Sequence, residues 1–186
     1  MDKFDYSLCF VTEESLSCGR TSADVARCAL DGGATIIQLR DKSLSDGKRR
    51  ENGMTIASLC RGRGVPFIVN DSPELARELG ADGVHIGQND CSVSHARSIV
   101  GAGSIVGVSV SSVEEARIAA AAGADYLGAG PVFDTLSKND AGRGIGLENL
   151  RAIVSAADIP VIAIGGINAH NASLIAASGC AGLAVI

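Results

Sequence analysis

The chain has 186 residues and a formal net charge of −5, with 46% hydrophobic residues, 20% charged residues and 23 glycines. That length fits one domain over residues 1–186, burying about 70% of the surface an unfolded chain exposes, and the apolar content excludes a disordered or collagen-like chain. The acidic balance offers no basic field to nucleic acid or to an anionic membrane, and 2 Tyr, 4 Phe and no Trp leave little to stack on bases.

Residues 1–7 lack the basic and apolar regions of a secretory signal, and no apolar run approaches the roughly 20 residues of a membrane span. The expected compartment is the cytoplasm. Eight short, largely apolar runs follow: Leu8–Thr12, Thr35–Leu39, Phe67–Asn70, Gly83–Ile86, Ser104–Ser109, Asp125–Gly130, Val161–Ile164 and Gly182–Ile186. They read as strands of a buried parallel sheet. Helical stretches are expected at Ser22–Asp31, Ser45–Arg63, Pro73–Leu79, Val93–Val100, Val113–Ala122, Glu148–Ala156 and Asn168–Ala177. Ser22 is the expected cap of the first, Ser111 or Ser112 of the fifth, and Gly32, Gly80, Gly123 and Gly179 suit left-handed helix ends.

Strict alternation implies right-handed crossovers in a parallel sheet, and eight evenly spaced strands fit a compact (β/α)8 TIM barrel. A doubly wound sheet would need a glycine-rich phosphate loop after an early strand, and Thr12-Glu13-Glu14-Ser15 is none. Glycine-rich turns before the strands, such as Gly80-Ala81-Asp82-Gly83, read as an internal repeat of the barrel's bottom face. The helix that should cover the eighth strand is absent, so the natural protein is expected to continue by a loop and one helix of about 10–20 residues. Six dispersed cysteines, without C-x-x-C or zinc spacing, read as small hydrophobes or inert thiols.

Barrel active sites lie at the C-terminal ends of the strands, and those positions collect the chemistry. Arg40, Lys42 and Lys138 are cations able to hold phosphate oxygens. Asp71 and Asp90, on adjacent strand ends, suit a shared Mg²⁺, which takes one or two carboxylates and completes its shell with water and phosphate. Cations and a metal around one spot imply a di- or triphosphate, and Gly165-Gly166 opens a loop where barrels often hold a second phosphate. Plainer readings stand beside these. Arg40-Asp41-Lys42 could be a solvated charge cluster, Asp71 a cap for the third helix, and His85 a satisfied core histidine. Gly142-Arg143-Gly144-Ile145-Gly146 follows no suitable strand and reads as loop.

Taken in order, Gln38-Leu39-Arg40-Asp41-Lys42, Asn70-Asp71, Gly83-Val84-His85-Ile86-Gly87-Gln88-Asn89-Asp90, Gly107-Val108-Ser109, Gly128 through Lys138 and Ala163-Ile164-Gly165-Gly166-Ile167 resemble the thiamine-phosphate synthase family. The resemblance implies a Mg²⁺-dependent condensation of hydroxymethylpyrimidine diphosphate with a thiazole phosphate, through a pyrimidine methyl cation, to thiamine phosphate and pyrophosphate. It implies a pyrimidine diphosphate site of Gln38, Leu39, Arg40, Asp41, Lys42, Asn70, Ser109 and Lys138, with Arg40, Lys42, Lys138 and Ser109 catalytic. It places thiazole phosphate at Thr135, Leu136, Ser137, Gly166 and Ile186, and the metal on Asp71 and Asp90. The family motif Thr-x-Thr-Lys is here Thr135-Leu136-Ser137-Lys138, which keeps the hydroxyl, and Asp134 replaces a frequent proline. Two other readings remain: a thiazole tautomerase of the same fold, and a barrel that senses phosphate ligands without turnover. Small molecules are the expected partners, with neither nucleic acid nor membrane, and a homo-oligomer is compatible with the sequence.

Overall fold

In the computed structural model, which describes residues 4–135 and 143–186, eight parallel strands close into a barrel in sequence order. The strands are β1 (Leu8–Val11), β2 (Ile36–Leu39), β3 (Phe67–Asn70), β4 (Gly83–Ile86), β5 (Ile105–Val110), β6 (Tyr126–Ala129), β7 (Val161–Ile164) and β8 (Gly182–Val185). Closure is made by β8 against β1, where Cys9 pairs with Ala184. The helices are α1 (Ser22–Asp31), α2 (Asp46–Arg63), α3 (Pro73–Leu79), α4 (Val93–Val100), α5 (Val113–Ala121), α6 (Gly146–Ala156) and α7 (Ala172–Ala176). A short 3-10 turn at Glu14–Leu16 follows β1.

Local chemistry explains the helix starts. Thr21, Ser45, Ser72, Ser92 and Ser112 each place a side-chain oxygen on the backbone N–H three residues on, satisfying a donor that the first helical turn leaves unpaired. The first cap is therefore Thr21, in a reciprocal capping box with Asp24, and not Ser22, which is already helical. Similarly, Ser72 and not Asp71 caps α3, closing off the capping role for Asp71. At the end of α1, Gly32 keeps a right-handed conformation and Gly33 turns left-handed. The last two helices also shift: α6 begins at Gly146, two residues early, and α7 is one short turn inside the expected span.

Period-two alternation sorts the strand residues into two cores. Ile37, Leu39, Val69, Val84, Ile86 and Leu127 belong to the outer core, packed under the helices. Cys9, Val11, Ile36, Ile68, Ile105, Tyr126 and Ile162 fill the barrel's interior. The inner set occupies the lower part, so polar residues at the upper ends of the same strands stand on an apolar floor. All six cysteines are free thiols, and burial pushes Cys9 and Cys60 up to about 12, in keeping with inert thiols there; Cys18 and Cys28 are exposed. Among the described residues, no helix is long and apolar enough to cross a membrane.

Candidate active site

Because β2 alternates, Gln38 and Arg40 point inward while Leu39 and Asp41 point away. The same rule turns Asn70, His85 and Ser109 inward from β3, β4 and β5. Together they border a cavity of about 230 Å³ at the C-terminal ends of the strands, above Cys9, Tyr126 and Ile162. Thr135, Gly165, Ile167 and Ile186 complete its mouth. Of the expected substrate residues, Gln38, Arg40, Asn70, Ser109, Thr135 and Ile186 are thus brought together. Gly166 stands just off the wall, which Gly165 and Ile167 form, and its carbonyl accepts from Asn171 Nδ2 at 2.9 Å.

Leu39 and Asp41 hold the site rather than face it. The Leu39 side chain packs against α2 beside Gly53 in the outer core. The fully buried Asp41 carboxylate accepts from Thr12 Oγ1 at 3.0 Å and from the Glu14 backbone N–H at 2.8 Å, tying the β2 loop to the β1 loop. Glu14 in turn accepts from the Ser22 N–H at 3.1 Å and from Asn52 Nδ2 at 3.0 Å, fastening that loop to α1 and α2.

Arg40 is no solvated charge. Its Nη1 donates to Glu13 Oε2 at 2.8 Å, with the two side chains only 11% and 8% exposed. Ser15 Oγ donates to the other Glu13 oxygen at 2.7 Å. A guanidinium carries five donors, so one edge can be fixed by Glu13 while the rest faces the cavity. Glu13 escaped the sequence reading; the signal available was an acidic residue two positions beyond a strand, opposite an inward arginine on the neighbouring strand.

Asp71 and Asp90 stand on the loops of adjacent strands. The Asp71 N–H donates to the His85 carbonyl at 2.8 Å, and its backbone is left-handed, with φ 65°. Lys42 Nζ lies 2.9 Å from Asp71 Oδ2, both residues partly exposed. Asp90 Oδ2 accepts from the Gly87 N–H at 2.7 Å, which closes a tight turn after β4. Asp71 and Asp90, each with one oxygen held, offer the hard carboxylate oxygens that Mg²⁺ takes, but neither they nor Lys42 border the cavity, where Arg40 is the one cation among the described residues.

On the cavity wall His85 places Nδ1 2.9 Å from the Tyr126 hydroxyl and Nε2 2.9 Å from Ser109 Oγ. It is thus a satisfied core histidine that also borders the site. Glycines make room for the rings. A Cβ on Gly107 would lie 2.2 Å from Tyr126 Cζ, and one on Gly128 2.8 Å from His85 Cε1. Tyr126 was not anticipated; the alternation of β6 would have turned it inward. Burial raises its phenol well above its ordinary 10.0. Leu136, Ser137 and Lys138, with most of the loop carrying them, lie outside the described residues.

Comparison with known proteins gives a consistent result. The model of the thiamine monophosphate synthase family matches residues 8–186. The thiamine-phosphate synthase of Haloarcula marismortui is 45% identical over 185 residues, covering 98% of this chain and 88% of that protein. That of Methanocella arvoryzae is 49% identical over 181 residues, covering 97% and 85%. The solved thiamine phosphate pyrophosphorylase from Pyrococcus furiosus superposes with a TM-score of 0.89 at 43% identity, covering 98% of this chain and 86% of that one.

Proposed function

The chain belongs to the thiamine monophosphate synthase family, and we propose that it is the transferase this implies, joining hydroxymethylpyrimidine diphosphate to a thiazole phosphate. The observation that carries the reading is the meeting of Gln38, Arg40, Asn70 and Ser109 in one cavity above an apolar floor, with Thr135 and Ile186 at its mouth. In the reaction the methylene C–O bond breaks, its electron pair leaves with pyrophosphate, and the thiazole nitrogen closes a C–N bond to the resulting pyrimidine methyl cation. No nucleophilic side chain is called for.

The residues divide this work by position. Gln38 and Ser109 hold the pyrimidine ring, deep in the barrel. Arg40, aimed by Glu13, and Asn70 hold the diphosphate, with Lys42 and Lys138 adding positive charge where the leaving group gains negative charge. Mg²⁺ on Asp71 and Asp90 would add to that neutralisation. Thr135, Leu136, Ser137, Gly166 and Ile186 take the thiazole phosphate. Cytoplasmic location belongs to the same proposal, since both substrates are charged small metabolites.

Incubation of the chain with both substrates and Mg²⁺, followed by chromatography, tests the reading. Thiamine phosphate and pyrophosphate should appear in equal amounts. Isomerisation of a thiazole carboxylate phosphate without pyrophosphate would favour the tautomerase instead. Binding of either substrate without any turnover would favour a sensor.

A further inference from the structure

The loop after β7 brings two consecutive peptide groups to the mouth of the cavity, and each is tied by its carbonyl. The Gly165 carbonyl accepts from the Phe133 N–H at 3.1 Å, and the Gly166 carbonyl accepts from Asn171 Nδ2 at 2.9 Å. In a planar trans peptide the N–H points opposite the C=O, so these ties set the N–H directions of Gly166 and Ile167. Among the described residues neither N–H meets an acceptor. Gly165 and Ile167 both border the cavity.

The Phe133 tie is made by backbone, and the β6 loop also closes in on Gly166, where a Cβ would lie 2.8 Å from Phe133 Cβ and from the Asp134 carbonyl oxygen. The Asn171 tie is made by a side chain whose orientation has one solution. Nδ2 faces a carbonyl, which only accepts, and Oδ1 lies 2.8 Å from the Asn168 N–H, which only donates. The Asn171 N–H returns to the Asn168 carbonyl at 3.1 Å, so the clamp is itself anchored. Gly165 and Gly166 have φ of 100° and 66°. Glycine populates both signs of φ, so their own backbone does not keep the Gly166–Ile167 peptide from turning over.

We propose that Asn171 is a positioning residue that holds the Gly166–Ile167 peptide with its N–H presented to an anion, so that the amides of Gly166 and Ile167 together seat the phosphate of the second substrate. Asn171 touches no substrate and acts only through that peptide. The placing of a phosphate at Gly166 rests on the proposed function, whereas the clamp is a property of the ligand-free protein. Successive backbone N–H groups held in a turn suit an anion, and they need no cationic side chain beside them.

Calorimetry with thiazole phosphate and, separately, with hydroxymethylpyrimidine diphosphate reads the clamp in two variants. Asn171→Asp keeps the acceptor for the Asn168 N–H and removes the donor; Asn171→Ala removes both and adds no charge. Each should bind thiazole phosphate about 10-fold more weakly, as for one lost hydrogen bond to a charged group, and the diphosphate within about 2-fold of the parent. KM for thiazole phosphate should rise with kcat at saturation unchanged, since the seat serves ground and transition states alike. Weakening in Asn171→Asp alone is charge repulsion and overturns the proposal. Equal weakening of both ligands marks a merely structural asparagine and overturns it too. Weakened thiazole phosphate binding in Asn171→Ala of a chain that makes no thiamine phosphate would remove the assigned reaction and leave the clamp standing. Turnover by the parent, with thiazole phosphate binding unchanged in Asn171→Ala, would do the reverse.

Discussion

Lys42 and Asp71 form an ion pair, Nζ to Oδ2 at 2.9 Å, between the loop that phosphate should reach and the carboxylate that should meet metal. The pair is partly exposed, 48% and 34%, so its own contribution to stability is small. Substrate and Mg²⁺ together would therefore exchange one weak contact for two strong ones: ammonium to phosphate and carboxylate to metal.

Asp71→Asn isolates that exchange. Asn tolerates the left-handed backbone at position 71, so the fold should be unaffected. Turnover should fall at least about 10-fold, and the Mg²⁺ concentration for half-maximal rate should rise, since the second carboxylate alone competes poorly with hydration. Asp71→Ala should add a stability loss of about 1 kcal/mol from the strained φ. An unchanged Mg²⁺ titration in Asp71→Asn would remove the metal assignment.

Glu13→Ala leaves Arg40 as a nearly buried, unpaired cation. Breaking such a pair from one side should cost about 3 kcal/mol, visible as a lower urea midpoint with an unchanged slope. In enzyme that remains folded, KM for the diphosphate substrate should rise, because the guanidinium loses its fixed aim. A variant as stable as the parent would mean that the pair carries no structural weight.

Gly107→Ala should destabilise by about 2 kcal/mol through overpacking, since its methyl would overlap Tyr126. Gly53→Ala, which points a methyl at the flexible end of Leu79 in the outer core, should cost less and leave the kinetics unchanged. Thermal melts of the two variants, with kcat/KM measured beside them, separate damage to the site from damage to the shell.

Lys138→Ala should slow turnover by about 10²-fold, the loss expected for one group that stabilises charge only in the transition state. Lys138→Arg should restore part of it, because a planar fork replaces a compact point charge. A full-rate alanine variant would exclude the residue from the chemistry.

Alkaline pH should expose the buried thiols. Cys9 and Cys60 keep their protons to about 12 in the fold, against an ordinary 9.0 in the unfolded chain. Above pH 9 the unfolded chain has released protons that the folded chain retains, so stability is full below 9 and falls between 9 and 12. Urea midpoints should drop less steeply over that window in Cys60→Ala than in the parent.

The barrel was legible in the sequence because strand and helix signals alternate with little ambiguity; all eight runs and seven helices recur within a few residues. Cap residues were harder, as at Thr21 and Ser22, where either side chain could serve and only backbone geometry decides. In the site, contiguous motifs hid the alternation of a strand. Gln38 and Arg40 reach the cavity, whereas Leu39 and Asp41 between and after them support the outer shell. The Glu13–Arg40 pair spans 27 positions and the His85–Tyr126 contact 41. Such partners are set by strand register, which a single sequence does not display.

The apolar floor of Cys9, Tyr126 and Ile162 gives the cavity a blind end. Among the described residues the cavity opens at the C-terminal ends of the strands, a door shared by what enters and what leaves. Whatever occupies the deep zone at Gln38, His85 and Ser109 must arrive before the mouth at Thr135, Gly165 and Ile186 is filled, and it can depart only after the mouth is cleared. An order of addition and release then follows from the shape of the barrel.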